Sequence, residues 1–242
     1  HLAPPRPEAV VCASPAGFVP AGGQLYSLGI HPWRPEEATE ENFGLPARLA
    51  GMPEVAAIGE AGVDQLRGGP MYRQMLAFRR QIEISEAAGK PLVVHDVKAH
   101  DSVAGLRRDY APVQPWILHG FRAKPTVAKM MMQASDGFWF SFGEKFNPDA
   151  LRAVPRERIL AETDESALDI RQIIARLSEA LGEDLTETIA AISARVFDTA
   201  HRAAPLDRTF WSRPAPTSRP MMMAAVAARP KDTTIQILST FP

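Results

Sequence analysis

The chain has 242 residues, 45% of them hydrophobic and 23% charged, which excludes a disordered, collagen-like or disulfide-stapled protein. Its formal net charge of −1 excludes a protein held to nucleic acid by overall positive charge, so any contact with a polyanion must be local. The single cysteine, Cys12, excludes an intramolecular disulfide and a thiolate metal cluster, so a metal would depend on His, Asp or Glu ligands.

Short apolar runs, mostly bounded by Gly, Pro or polar residues, predict seven β-strands. In chain order these are 9–13, 25–30, 55–59, 91–95, 116–119, 137–142 and 159–163. Apolar residues spaced three or four apart predict amphipathic helices over 71–82, 170–181 and 185–196. The Gly- and Pro-rich residues 15–23 leave no room for a helix early in the chain.

Strands that alternate with helices predict a parallel sheet covered on its faces, which is an α/β fold. Seven strands and one upstream of residue 1 would close a (β/α)8 TIM barrel, distorted or trimmed in its first units. An open doubly wound sheet is the alternative. We expect the barrel to occupy residues 1–204 and residues 205–242 to form a Pro/Arg-rich tail, disordered or irregular. A basic arm that contacts nucleic acid is the alternative for the tail.

Potential metal ligands end or follow five of the predicted strands. They are His31, Glu60, His95, His119 and the pair Glu162 and Asp164. In a barrel the carboxyl ends of all strands meet on one face, so these distant residues would gather there. Imidazole mixed with carboxylate suits Zn²⁺ or Mn²⁺ and is compatible with Mg²⁺ at an oxygen-rich position.

Each ligand candidate also has an ordinary structural interpretation. His95 could be a core histidine hydrogen-bonded to Asp96, and Asp164 could cap the helix that follows it. For His31, a structural role or a contact with substrate is favoured over direct metal ligation. The sequence has no G-x-S-x-G elbow, no P-loop and no G-x-G-x-x-G, so nucleophilic serine and glycine-cradled nucleotide chemistry are not expected.

Five blocks of the sequence carry a family resemblance. They are GIHPW at 29–33, IGEAGVD at 58–64, PLVVH at 91–95, LHGF at 118–121 and LAETD at 160–164. In this order and spacing the chain resembles the TatD family of metal-dependent deoxyribonucleases, which belongs to the amidohydrolase-like TIM-barrel superfamily.

The resemblance implies a role for each matching residue. Glu60 matches the bridging carboxylate, and His95 and His119 match the two histidines of the second metal position. Asp164 matches the last-strand aspartate that binds metal and takes a proton from the attacking water. Glu162 would be a supporting carboxylate that orients a metal ligand.

The chain departs from the family at its first strand, which ends in His-x-His. His1 resembles the second of these histidines as a metal ligand, and the first lies outside the numbered sequence. Lys98 stands where the family has an arginine. We expect Lys98, Arg122 and His31 to bind substrate, the two basic residues by neutralising phosphates.

The ligand set and the family resemblance together predict a metal-dependent hydrolase. The resemblance implies that it cleaves the phosphodiester bonds of DNA, single-stranded or at ends, with one or two divalent ions (Mg, Mn or Zn). Asp164 and Glu60 are its predicted catalytic residues. One alternative is a hydrolase of a small amide, lactone or phosphoester, and another is a catalytically impaired barrel acting as a binding protein. No run approaches the about 20 apolar residues of a membrane span, so we expect a cytoplasmic protein with no membrane partner.

Overall fold

The protein is described here by a computed structural model, which covers residues 9–197 and 236–238. His1 and most of the predicted tail lie outside the described residues. The strands are β1 (Ala9–Ala13), β2 (Leu25–Leu28), β3 (Val55–Asp64), β4 (Leu92–Val97), β5 (Trp116–Leu118), β6 (Phe138–Phe142), β7 (Ile159–Ala161) and β8 (Gln236–Leu238). The helices are α1 (Glu40–Leu49), α2 (Met71–Ala88), α3 (His100–Tyr110), α4 (Pro125–Ala134), α5 (Pro148–Ala153), α6 (Ile170–Leu181) and α7 (Thr186–Phe197).

Strands β1 to β7 form one parallel sheet in which every strand pairs with its neighbour in chain order. Strand β8 pairs antiparallel with the outer edge of β1. Within residues 9–197 and 236–238, no pairing joins β7 to β1, so the sheet is a curled, incomplete barrel. The predicted α/β barrel, trimmed in its first units, is confirmed, as are its seven strands and the absence of a helix between β1 and β2.

Strand β3 is longer than predicted because two glycines let the neighbouring strand approach closely. A Cβ atom on Gly59 would lie 2.5 Å from the carbonyl oxygen of Val93, and one on Gly62 would lie 2.0 Å from that of His95. Both glycines also have positive φ angles, 128° and 150°. Only glycine fits these positions, so the strand continues through them to Asp64.

Hydrophobic side chains fill both faces of the sheet. The outer face packs against the helices, as Phe78 and Ile82 of α2 and Leu177 of α6 illustrate. The inner face holds a second cluster whose strand residues include Val10, Ala57, Val93, Ile117 and Leu160. Helix α7 contributes Ile192, Val196 and Phe197 to this inner cluster. The helix therefore packs where the side chains of further strands would lie in a closed barrel.

None of the helices in the described part of the chain combines the length and apolar character needed to cross a membrane.

Candidate active site

The residues predicted as metal ligands lie at the carboxyl end of the sheet. His31 follows β2, Glu60 lies in β3, His95 in β4 and His119 follows β5. Glu162 and Asp164 follow β7. Parallel strands place these side chains on one edge, and the curl of the sheet turns them towards a common centre.

Glu60 lies at the centre of the site and is only 3% exposed. Its Oε1 atom is 2.5 Å from Nδ1 of His95, 3.2 Å from Nε2 of His31 and 3.6 Å from Nε2 of His119. Burial alone would raise the pKa of Glu60, but these three imidazoles outweigh burial and hold the pKa well below its usual range. Glu60 is therefore a carboxylate anion at neutral pH.

A second group of side chains forms at the end of β7. Oε1 of the fully buried Glu162 accepts a hydrogen bond of 2.8 Å from the backbone N–H of Gly120 and lies 2.9 Å from Nδ1 of His119. Burial would lower the pKa of His119, but Glu162 and Glu60 outweigh it and raise the pKa to about 10. Glu162 thus forms an ion pair with the Nδ1 side of His119, while Nε2 of the same ring faces Glu60, an arrangement suited to a carboxylate that orients a metal ligand.

Asp164 lies beside this group in an unusual backbone conformation. Its φ angle is +46°, a left-handed value that is uncommon for non-glycine residues and occurs often at functional sites. Burial, reinforced by the charges of Glu162 and Glu60 and opposed by His119, raises the pKa of its carboxyl to about 6. A carboxylate with this pKa can accept a proton near neutral pH.

The donor set fits a divalent cation. Two clusters, His31 with Glu60 and His95, and His119 with Glu162 and Asp164, each bring their ligand atoms within 4.8 Å of one another. Among the described residues, the buried atoms Oε2 of Glu60, Oε2 of Glu162 and Oδ1 of Asp164 have no hydrogen-bond partner. A buried carboxylate oxygen without a donor is costly, and a cation would satisfy all three.

His31 is set up differently from the other two histidines. Its Nδ1 atom accepts a 3.1 Å hydrogen bond from the backbone N–H of Trp33, so the neutral ring carries its proton on Nε2. A protonated nitrogen cannot bind a metal, which favours the predicted contact with substrate over ligation. Nε2 lies 3.2 Å from Glu60, close enough for electrostatic attraction, but it makes no well-aligned hydrogen bond to any described residue, so its proton can be donated to a ligand.

Sequence reasoning missed Asp64, which is 3% exposed. Its Oδ2 atom accepts hydrogen bonds from Nε1 of Trp33 at 2.7 Å and from Nε2 of His95 at 3.1 Å, and its Oδ1 atom accepts from the backbone N–H groups of Leu66 and Arg67. Burial would raise its pKa, but the bonds from His95 and Trp33 lower it to about 2. Asp64 therefore orients His95, and its place at the end of the IGEAGVD block was the available signal.

Two buried glutamines on α2 were also missed. Gln81 accepts from the backbone N–H of Ile30 at 2.7 Å and donates to its carbonyl at 3.0 Å, which fixes the chain just before His31. Gln74 makes the same pair of bonds with the backbone of Asp64, at 2.8 and 3.1 Å. One helix thus positions two loops of the site. The signal was the seven-residue spacing, which puts both glutamines on the buried face of α2.

Of the remaining predicted residues, Lys98 and Arg122 have exposed side chains in the loops after β4 and β5. Both loops leave the carboxyl edge of the sheet, so the structure brings these cations to the rim of the site rather than into it. His1, the other predicted ligand, lies outside the described residues.

Comparison with known proteins gives concordant results. The chain is 30% identical over 147 residues to the "uncharacterized metal-dependent hydrolase YabD" of Bacillus subtilis (strain 168), an overlap of 57% of each chain. It is 30% identical over 146 residues to the "3'-5' ssDNA/RNA exonuclease TatD" of Erwinia billingiae, covering 57% of this chain and 56% of that protein. The chain thus spans little more than half the length of these relatives.

The fold is similar to that of a solved TatD homologue, YJJV of Escherichia coli K12. The TM-score is 0.64 at 18% identity, and the match covers 74% of this chain and 78% of the other. The family described as "TatD related DNase" matches residues 21–202, most of the chain, including every ligand candidate from His31 to Asp164. The chain is therefore a member of the TatD-related DNase family.

Proposed function

We propose that the protein is a metal-dependent hydrolase that cleaves phosphodiester bonds of single-stranded nucleic acid. The observation that carries the proposal is the pair of buried carboxylates, Glu60 and Glu162. In each, Oε1 lies against an imidazole, and Oε2 has no hydrogen-bond partner in the described part of the chain. A bound cation would satisfy both Oε2 atoms.

Glu60, His95, His119 and Asp164 would hold one or two divalent ions, with Glu60 shared between the two clusters. The ions would supply Lewis acidity at a phosphate oxygen and lower the pKa of bound water. Asp164 accepts the proton of the attacking water at Oδ1, an atom to which no described residue donates a hydrogen bond. Glu162 keeps His119 in place, and Nε2–H of His31 donates to a non-bridging oxygen of the substrate.

Nucleic acid is favoured as substrate by two further observations. Lys98 and Arg122 place positive charge at the rim of a chain whose overall net charge is −1, so a polyanion has local points of contact. The Erwinia billingiae relative bears the name of a single-stranded DNA and RNA exonuclease. Among the described residues, no element resembles a helix that reads base edges in a groove, so we expect cleavage independent of sequence.

The test is hydrolysis of end-labelled oligonucleotides, single-stranded and duplex, by the purified protein with Mg²⁺, Mn²⁺ or Zn²⁺. Asp164→Asn removes the proton acceptor and Glu60→Gln removes the shared charge, and each should lower the rate about 10²–10⁴-fold. The matched control is Asp149→Asn, since Asp149 is an exposed carboxylate on α5 that pairs only with Arg152 in the described structure.

Degradation that survives both site variants would contradict the proposal, because the activity would then come from elsewhere. Turnover of a small ester or lactone without turnover of any oligonucleotide would replace nucleic acid with a small-molecule substrate.

A further inference from the structure

The mouth of the site carries an aromatic ring that the hydrolytic residues do not use. Trp33 is half-buried, and its ring centroid lies 4.8 Å from that of His31 and 5.8 Å from that of His95. Its indole N–H is bonded to Asp64, which fixes the plane of the ring. The ring therefore lies beside the imidazoles of the site, close enough for one nucleotide to reach from the ring to the buried carboxylates, and its hydrogen bond prevents it from turning freely.

An arginine lies over this ring. Cζ of Arg67 is 4.9 Å from the Trp33 centroid, and the Arg67 side chain is exposed. The preceding residue, Leu66, is 68% exposed although it is a large apolar residue. The backbone N–H groups of Leu66 and Arg67 both bond to Oδ1 of Asp64, so this one carboxylate fixes the ring and the basic segment relative to each other.

An aromatic ring next to an exposed arginine is a combination typical of sites that bind single-stranded nucleic acid. Proteins that bind single strands without sequence preference pair aromatic faces, on which bases stack, with basic side chains that contact the phosphates. Arginine also stacks on the flat face of a base and contacts phosphate through its N–H fork. An ordinary structural tryptophan would need only the bond to Asp64, and it would not explain why exposed Leu66 and Arg67 are tethered beside it.

We propose that Trp33 and Arg67 form a nucleotide subsite next to the scissile phosphodiester. A base stacks on the Trp33 ring in place of the Arg67 guanidinium, which then contacts the neighbouring phosphate. This inference rests on the proposed function, since it specifies how the same site would take a single strand. Because stacking accepts any base, the subsite selects unpaired strands rather than sequences.

The first test measures binding without hydrolysis. Fluorescence anisotropy in EDTA gives the affinity for a labelled single-stranded decamer and for the same sugar–phosphate chain without bases. We expect wild type to prefer the decamer with bases by about 5- to 150-fold. Trp33→Leu should abolish that preference, whereas Trp33→Phe, which keeps a ring but loses the N–H, should retain most of it.

Trp139 provides a matched control. It is a half-buried tryptophan of β6 with Cζ of Arg195 at 5.1 Å from its ring, and it belongs to the inner cluster rather than the site. Trp139→Phe should leave the preference unchanged. Arg67→Ala should make log affinity less dependent on log salt by about 0.7, the value for one phosphate contact on a single strand.

The outcomes separate the two proposals. If wild type hydrolyses oligonucleotides but Trp33→Leu keeps the full preference for bases, the subsite is wrong and the proposed function stands. If Trp33→Leu loses the preference while no oligonucleotide is ever cleaved, the subsite stands and the proposed reaction is wrong. Equal loss in Trp33→Leu and Trp33→Phe would also overturn the subsite, because the bond to Asp64 would then account for the effect.

Discussion

Replacing Gln81 by leucine should destabilise the protein far more than the same replacement of an exposed glutamine. Gln81 is fully buried and bonds both to the backbone N–H and to the carbonyl of Ile30. Leucine is close enough in size to occupy the same space, but it can make neither bond. Two buried backbone groups of Ile30 would then lack partners in the loop that carries His31.

The magnitude follows from those two groups. Each buried polar group left without a partner costs about 1–3 kcal/mol, so the variant should lose about 2–6 kcal/mol of unfolding free energy. This is a large share of the about 5–15 kcal/mol by which a folded domain is stable. With a urea m-value of about 3 kcal/mol per M, a loss of about 4 kcal/mol lowers the midpoint by about 1.3 M.

Equilibrium urea unfolding of the metal-free protein measures this loss. The control is Gln133→Leu on α4, where the glutamine is exposed and the change should stay within about 0.5 kcal/mol. If Gln81→Leu also fell within that range, the glutamine would not be holding the loop, and the account of how α2 positions His31 would be refuted.

Three further predictions concern a buried carboxylate, the two imidazoles of the site and a half-buried lysine. Glu162→Gln keeps an oxygen that can accept the hydrogen bond from the backbone N–H of Gly120, but it loses the negative charge beside His119. Divalent-metal affinity, measured by competition with a chelator, should therefore fall about 10- to 100-fold. The control, Glu165→Gln, changes an exposed carboxylate and should alter the affinity little. Metal binding at pH 7 should release protons, because the pKa of His95 is raised to about 8 and that of His119 to about 10, and each imidazole must be neutral to act as a ligand. Titration calorimetry in buffers of different ionisation enthalpy measures the number of protons released. A binding heat that is the same in all buffers would contradict the assignment of the two histidines as ligands. Burial lowers the pKa of Lys90 from 10.5 to about 8, so between these pH values the unfolded chain binds more protons than the folded one. The unfolding free energy of wild type should therefore rise relative to that of Lys90→Met as the pH rises. Chemical unfolding of both proteins at pH 7.5 and pH 10 measures this difference, and an equal pH response in the two would show that Lys90 does not titrate in this way.

The seven parallel strands could be predicted because each appears in the sequence as a short apolar run, and several, such as β3, β5 and β7, are buried along their whole length. The length of β3 could not, since glycines usually mark the end of a strand and here permit a close approach to β4. The second strand was overextended to residue 30, because the apolar Ile30 gives no sign that its backbone bonds go to a helix side chain.

The predicted site residues from His31 to Asp164 come together because strand order alone determines which residues reach the carboxyl edge. The residues that hold them were harder to find. Asp64 accepts hydrogen bonds from Trp33 and from His95, and such contacts leave no periodic pattern. The stripe that predicts α2 consists of apolar residues alone, so it gives no sign that Gln74 and Gln81 are buried. Whether His1 completes the first cluster stays a prediction.

Helix α7 forms part of the core inside the incomplete barrel. Its three apolar side chains pack against the inner face of the curled sheet, with residues of the strands that carry Glu60, His95 and Glu162 at their carboxyl ends. In the described residues, the core enclosed by the curled sheet is therefore completed by a helix as well as by strands. Substitutions in α7 can for this reason reach the strands that carry the site without altering any residue of the site itself.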